Sequence, residues 1–116
     1  MSYTEKELRW PFGKATTIAL TATGAQAISI DDNVTIINGV TVPATGNRTL
    51  NLTVAPELAA GALLFVKSKT AATETTIPGT KMQGATTTGV AGKTITVLFL
   101  YDGANFVQTG TAVQID

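Results

Sequence analysis

The chain downstream of Lys14 consists of short β-type segments, and this pattern constrains the fold more than any other feature of the sequence. Apolar and Thr-rich runs are separated by turn residues roughly every eight to twelve positions. No run of helical length shows an apolar period of about 3.6 residues. The spacing predicts an all-β fold, a small antiparallel β-sandwich or jelly-roll-like domain at residues 15–116, preceded by a short N-terminal arm at residues 1–14.

Three segments give specific strand predictions. Thr94–Tyr101 alternates and is the strongest strand pattern, with one face that comprises Ile95, Val97, Phe99 and Tyr101 and with Leu98 and Leu100 at the end of the other. Arg48–Val54 alternates in the same way, and its predicted inward residues are Leu50, Leu52 and Val54. The continuous apolar run Leu63–Val66 is typical of a strand that is buried on both faces.

Asn38-Gly39 is predicted to be the turn of a β-hairpin. It separates Val34–Ile37 from Val40–Val42. Asn-Gly favours the tight turn that joins two neighbouring antiparallel strands, because both residues tolerate a positive φ. The sequence therefore predicts that these two runs pair with each other.

Composition favours self-association over binding to nucleic acid. Charged residues make up only 14% of the chain, and Thr accounts for 22 of its 116 residues, so hydroxyl groups must cover much of the exterior. Soluble monomers normally rely on charge for solubility, and contact between copies would hide area that otherwise needs it. The formal net charge is zero and no run of cations occurs, which excludes the electrostatic footprint of a nucleic-acid-binding protein.

The residue types exclude most enzymatic chemistry. The chain has neither His nor Cys, which removes the commonest general base, the thiolate nucleophile and the commonest zinc ligands. We therefore expect no catalytic residues, no metal, no cofactor and no enzymatic activity. No apolar stretch is long enough to span a membrane, and Glu5, Glu7 and Arg9 interrupt any secretion-signal core, so we expect synthesis in a cytoplasm.

Two polar segments have a structural and a functional interpretation. Asp31-Asp32-Asn33 is predicted to be a turn whose side chains cap backbone amides, and the alternative is a calcium site with oxygen ligands. Gly84–Gly92 is predicted to be a connector; as a phosphate-binding loop it lacks both the Walker spacing and a following helix.

The C-terminal hairpin also has two interpretations. Tyr101 and Phe106 flank the turn of residues 102–105. If their rings are exposed beside Asp102 and Asn105, they form a shallow platform for a glycan. The alternative is that the two rings pack against each other across the hairpin.

Residues 1–14 are predicted to be an attachment arm. They contain the only Trp and three of the seven aromatic residues, and a capping box at Ser2–Glu5 predicts a short helix that ends before Pro11. The predicted contact residues are Tyr3, Leu8, Trp10 and Phe12, with Arg9 and Lys14 at the rim. Apolar anchors on an extended segment are typical of docking to a partner; the alternative is that the arm folds back over an open end of the sandwich.

The ending Tyr101-Asp102-Gly103-Ala104-Asn105-Phe106-Val107, together with the Thr/Gly/Ala-rich body and the aromatic arm, resembles small structural proteins of tailed bacteriophages. The likeness is to head-fibre and decoration proteins of crAss-like phages of Bacteroides. This resemblance implies a homotrimeric fibre or decoration protein on the capsid surface of a virion, anchored by its N-terminus to the major capsid protein or another virion protein.

The sequence therefore predicts a structural virion protein, made in the host cytoplasm, that self-associates and attaches through its arm. The alternative is a carbohydrate-binding module at a fibre tip, whose partner is a host surface glycan. A carboxylate-dependent hydrolase is a third hypothesis, and the lack of a convergent pair of acids makes it the weakest.

Overall fold

The structure is a computed structural model that describes residues 15–116. The predictions for the arm, which concern Tyr3, Leu8, Arg9, Trp10, Phe12, Lys14 and a short helix, lie outside the described residues. Within the described range the strands are β1 (Thr16–Ala19), β2 (Gly24–Ile30), β3 (Val34–Ala44), β4 (Arg48–Val54), β5 (Leu63–Thr70), β6 (Thr75–Pro78), β7 (Met82–Gln83), β8 (Thr87–Thr88), β9 (Thr94–Tyr101), β10 (Phe106–Gln108) and β11 (Val113–Gln114).

The strands form two sheets that enclose one apolar core. Sheet A has the order β1-β3-β5-β9-β10-β7, with β11 also paired to β9. Sheet B has the order β2-β4-β6-β8. The predicted all-β class and the small β-sandwich are confirmed. The segment from Ala15 to Asp116 contains no helix that is long and apolar enough to cross a membrane.

The chain winds between the two sheets, so that from β1 to β9 each strand lies in the sheet opposite its predecessor. The corners are short: residues 31–33 link β2 to β3, and residues 45–47 link β3 to β4. After two corners the chain returns to its first sheet in its original direction. Neighbouring strands in the first three windings are consequently parallel. In sheet A, β1 pairs with β3 and β3 with β5; in sheet B, β2 pairs with β4 and β4 with β6.

The strand directions correct the antiparallel prediction. Five of the nine pairings among the described strands are parallel, and the antiparallel ones are confined to β9 with β5, β10 and β11, and to β6 with β8. Parallel strands need a crossover connection, which is usually a helix. Here each crossover is a strand of the other sheet, and the sequence pattern does not distinguish that arrangement from a series of hairpins.

The predicted hairpin at Asn38-Gly39 is wrong, because both residues lie inside the single strand β3. The Asn38 side-chain oxygen accepts hydrogen bonds from the amides of Val40 and Thr41, at 3.0 and 3.3 Å. The register against β5 shifts between Gly39 and Ala44. Asn38 therefore supports a bulge within the strand, since a short polar side chain can satisfy nearby backbone donors without a chain reversal.

The core lies between the sheets, and the strongest sequence patterns point into it. The predicted β9 face of Ile95, Val97, Phe99 and Tyr101 is the one that the structure buries, and of the β4 set Leu50 and Leu52 are buried while Val54 packs at the core margin. Each fully buried aliphatic side chain contributes roughly 1.5–3 kcal/mol. The prediction that Leu63–Val66 is buried on both faces is wrong: its inward residues are buried, whereas Leu63 and Phe65 are only half-buried on the outer face of sheet A.

The largest fully buried side chain belongs to Arg48, at the start of β4. Arg48 has the same strand parity as Leu50 and Leu52, and its guanidinium therefore enters the space between the sheets. There it donates hydrogen bonds to backbone carbonyl groups of β3, while its Nε has no hydrogen-bond partner. This contact ties sheet B to the bulge of sheet A.

Candidate interaction surface on sheet A

The outer face of sheet A carries two rows of apolar side chains. We call these seven side chains the apolar face. The strand registers align the first row across β3, β5, β9 and β10, as Val34, Leu63, Leu100 and Val107. The second row runs across β3, β5 and β9, as Ile36, Phe65 and Leu98.

The apolar face is partly open to solvent. Leu98 is 40% exposed and Leu100 is 39% exposed, and the other five side chains are half-buried. Val113 of β11, which is 55% exposed, pairs with Thr96, one row beyond the second row along β9. Contiguous exposed apolar side chains on a soluble protein mark candidate sites of interaction.

Charged residues lie at the two ends of the apolar face and not within it. At the end where β3 and β5 begin, the flanking turns and loops hold Asp31, Asp32, Glu57, Lys81 and Asp102. At the opposite end lie Lys67 and Lys69 on β5, with Glu74, Lys93 and Asp116 beside them. An apolar centre with a charged rim is the usual anatomy of a protein interface.

The outer face of sheet B differs from this surface. Its aligned outward positions on β2 and β4 are small or polar, as Ala25, Ala27, Ser29, Thr49, Asn51 and Thr53. Ile77 on β6 is the one large aliphatic residue that aligns with them among the described residues. The two faces of the sandwich are therefore chemically distinct, and the large apolar residues concentrate on sheet A.

The prediction that Tyr101 and Phe106 are exposed is wrong. Phe106 is fully buried and Tyr101 is 8% exposed. Their rings stack with centroids 4.9 Å apart, and the Tyr101 hydroxyl donates to the Gly103 carbonyl. Both rings belong to the core, as the alternative of packing across the hairpin predicts, so they present no ring face on which a sugar could stack.

Asp102 and Asn105, the polar residues of the same prediction, form the turn itself. The amides of Ala104 and Asn105 each donate to the Asp102 carboxylate at 2.8 Å. These backbone hydrogen bonds, from Asn105 and then Ala104, lower the pKa of Asp102 because they stabilise the charged form. The carboxylate therefore caps the turn between β9 and β10.

The acidic pair Asp31-Asp32 lies in the corner between β2 and β3. Asp32 accepts a hydrogen bond from the Thr16 hydroxyl of β1. Between Ala15 and Asp116, no three acidic, His or Cys side chains come together as a metal site would require. The position of the pair between two strands confirms the predicted turn, and the contact with the Thr16 hydroxyl ties this corner to β1.

The Gly-rich segment Gly84–Gly92 contains the short strand β8, and its central glycine serves close packing. A Cβ on Gly89 would lie 2.2 Å from the Thr70 hydroxyl oxygen. The Gly89 amide donates to the Glu74 carbonyl. These contacts hold the segment against β5 and β6. The segment does connect β7 to β9, but the prediction of a plain connector is incomplete, because β8 pairs with β6 in sheet B.

Sequence reasoning missed the apolar face as a unit, although two of its signals were present. The run Leu63–Val66 and the strand β9 both have large apolar residues at both parities, which shows that each strand has two apolar sides. What the sequence does not show is that β5 and β9 are neighbours in one sheet, so that these sides combine. Comparisons with protein-family models, curated proteins and solved structures found no match to this chain.

Proposed function

We propose that the protein is a structural component of a bacteriophage virion, a head-fibre or capsid-decoration protein that self-associates. The observation that supports self-association is the apolar face, with Leu98 and Leu100 about two-fifths exposed at its centre. In a chain with 14% charged residues, such a surface favours contact with another protein. The resemblance of the C-terminal hairpin and the arm to phage head-fibre proteins supports the virion assignment and implies a homotrimer.

The attachment role belongs to the arm. Residues 1–14 contain the single Trp of the chain together with Tyr3, Leu8 and Phe12. Aromatic anchors of this kind dominate the binding energy of extended segments. The arm enters the folded domain at β1, an edge strand of sheet A. Its proposed partner is the major capsid protein or another virion protein, on the capsid surface of a particle assembled in the host cytoplasm.

Incorporation into particles tests this proposal. Trp10→Ala should abolish incorporation while the thermal melt of the purified protein stays unchanged. Thr53→Ala, at an exposed position of β4, is the matched control and should be incorporated like the wild type. Normal incorporation of the Trp10 variant would contradict the attachment role of the arm.

A further inference from the structure

We infer that the apolar face of sheet A is the surface through which copies of this chain contact one another. This inference rests on the proposed self-association and names its surface. The face joins Val34, Ile36, Leu63, Phe65, Leu98, Leu100 and Val107 across four adjacent strands. A second copy is the occupant, for reasons of chemistry and of charge.

The chemistry of the face matches a copy of itself. Its centre has no charged side chain, and the nearest polar positions on the same strands, Asn38 and Thr96, align with Lys67 at its edge. An apolar surface needs no complementary charge pattern on its partner, only another apolar surface. Every copy of the chain presents one, which is the condition for association between identical subunits.

The charges of the chain do not oppose contact between copies. The formal net charge is zero, so two copies experience no long-range repulsion. The charged groups at each end of the face are of mixed sign: Lys81 lies with the acids at one end, and Glu74 and Asp116 lie with the lysines at the other. Four acids against one lysine leave the first end net negative, and three lysines against two acids leave the second end net positive. An antiparallel neighbouring copy therefore brings ends of opposite sign together beside the apolar centre.

The experiment measures the solution mass of the full chain by light scattering after gel filtration, over a range of concentrations. Leu98→Glu/Leu100→Glu should shift the protein from an oligomer to single chains of 12.0 kDa, with association weakened at least about tenfold. Leu98→Thr/Leu100→Thr keeps residues that favour β-strands at the same positions, and it should also weaken association because it removes the two apolar side chains. Thr53→Glu, on the outer face of sheet B, is the matched control and should leave the mass unchanged.

Circular dichroism of each variant checks that it is folded, and the solution masses of the folded variants then test the inference. A wild-type oligomer whose mass survives both double substitutions overturns this interface and leaves the proposed self-association standing. A monomeric wild-type protein overturns both. If Tyr3→Ala/Trp10→Ala/Phe12→Ala dissociates the oligomer while the Leu98 and Leu100 variants do not, the arm is the contact between copies and the inference is wrong.

Discussion

The guanidinium Nη1 of Arg48 donates a hydrogen bond to the carbonyl of Gly39, at 3.2 Å, across the interior of the sandwich. Its Nη2 donates to the carbonyl of Val42 at 2.6 Å. Burial lowers the pKa of Arg48 from its ordinary value, and the charge of Glu74 opposes that change. Arg48 lies on sheet B and thus binds two backbone carbonyl groups of the β3 bulge on sheet A.

Gly39→Ala should destabilise the fold, because the new methyl group has no space. A Cβ at position 39 would lie 2.3 Å from Arg48 Nη1 and 2.7 Å from the backbone oxygen of Lys67. We expect a loss of about 1–3 kcal/mol, the usual cost of overpacking, measured by urea denaturation. Gly110→Ala is the control, because a Cβ there meets nothing within 4 Å, and equal stability of the two variants would contradict this account of Gly39.

Arg48→Met should also lower the free energy of unfolding. The carbonyls of Gly39 and Val42 lose their donors, and an unsatisfied buried acceptor costs about 1–3 kcal/mol. Removal of a buried charge offsets part of that loss. Chemical denaturation of the variant beside wild type measures the difference, and a variant as stable as wild type would show that the hydrogen bonds do not stabilise the bulge.

Phe106→Ala should be among the most destabilising single changes in the domain. The ring is fully buried and stacks on Tyr101, so its loss opens a cavity at a cost of about 3–5 kcal/mol. Phe106→Leu keeps most of the volume and should cost less than about 1.5 kcal/mol. Thermal and urea melts give both values, and similar losses for the two variants would contradict a packing role.

Acid should weaken the fold partly through Asp102 and Asp116. Backbone hydrogen bonds lower the pKa of both carboxylates, chiefly from Asn105 for Asp102 and from Thr94 for Asp116. A folded-state pKa below the ordinary value near 3.8 stabilises the fold above that pH, and this contribution is lost as pH falls through the lowered folded-state pKa.

Asp102→Asn/Asp116→Asn tests this pH dependence. Asn keeps an oxygen that accepts the same backbone hydrogen bonds but does not titrate, so the variant should lose less stability than wild type between about pH 5 and about pH 2. Glu57→Gln controls for the removal of an exposed negative charge. Parallel acid unfolding curves for the double variant and wild type would rule out the two carboxylates as the cause.

The sequence predicts where the strands lie better than it predicts which strands pair. The alternation of Thr94–Tyr101 predicts the bounds of β9 and which of its residues share a face, because a period of two depends only on the strand itself. The parity of Arg48 relative to Leu50 and Leu52 already pointed inward. This parity alone does not predict a buried guanidinium, because arginine is seldom fully buried and its burial depends on partners that only the fold supplies.

The candidate surface is harder to predict from the sequence than the strands are. The prediction that Leu98 and Leu100 lie on the other face of β9 from Phe99 and Tyr101 is confirmed. Their alignment with Phe65 and Leu63 depends on the pairing of β5 with β9, which no local pattern encodes. Tyr101 and Phe106 were expected at the surface because they flank a turn, whereas strand parity directs both rings into the core.

The winding of the chain between two sheets makes those sheets a single cooperative folding unit. No strand of the first three windings pairs with its neighbour in sequence: 19 residues separate the paired Thr16 and Thr35, and 29 separate Val34 and Leu63. Each such loop contains a strand of the opposite sheet, so neither sheet can assemble while the other is unfolded. Pairing must therefore follow closure of long loops, which favours slow, all-or-none folding over stepwise zippering of hairpins.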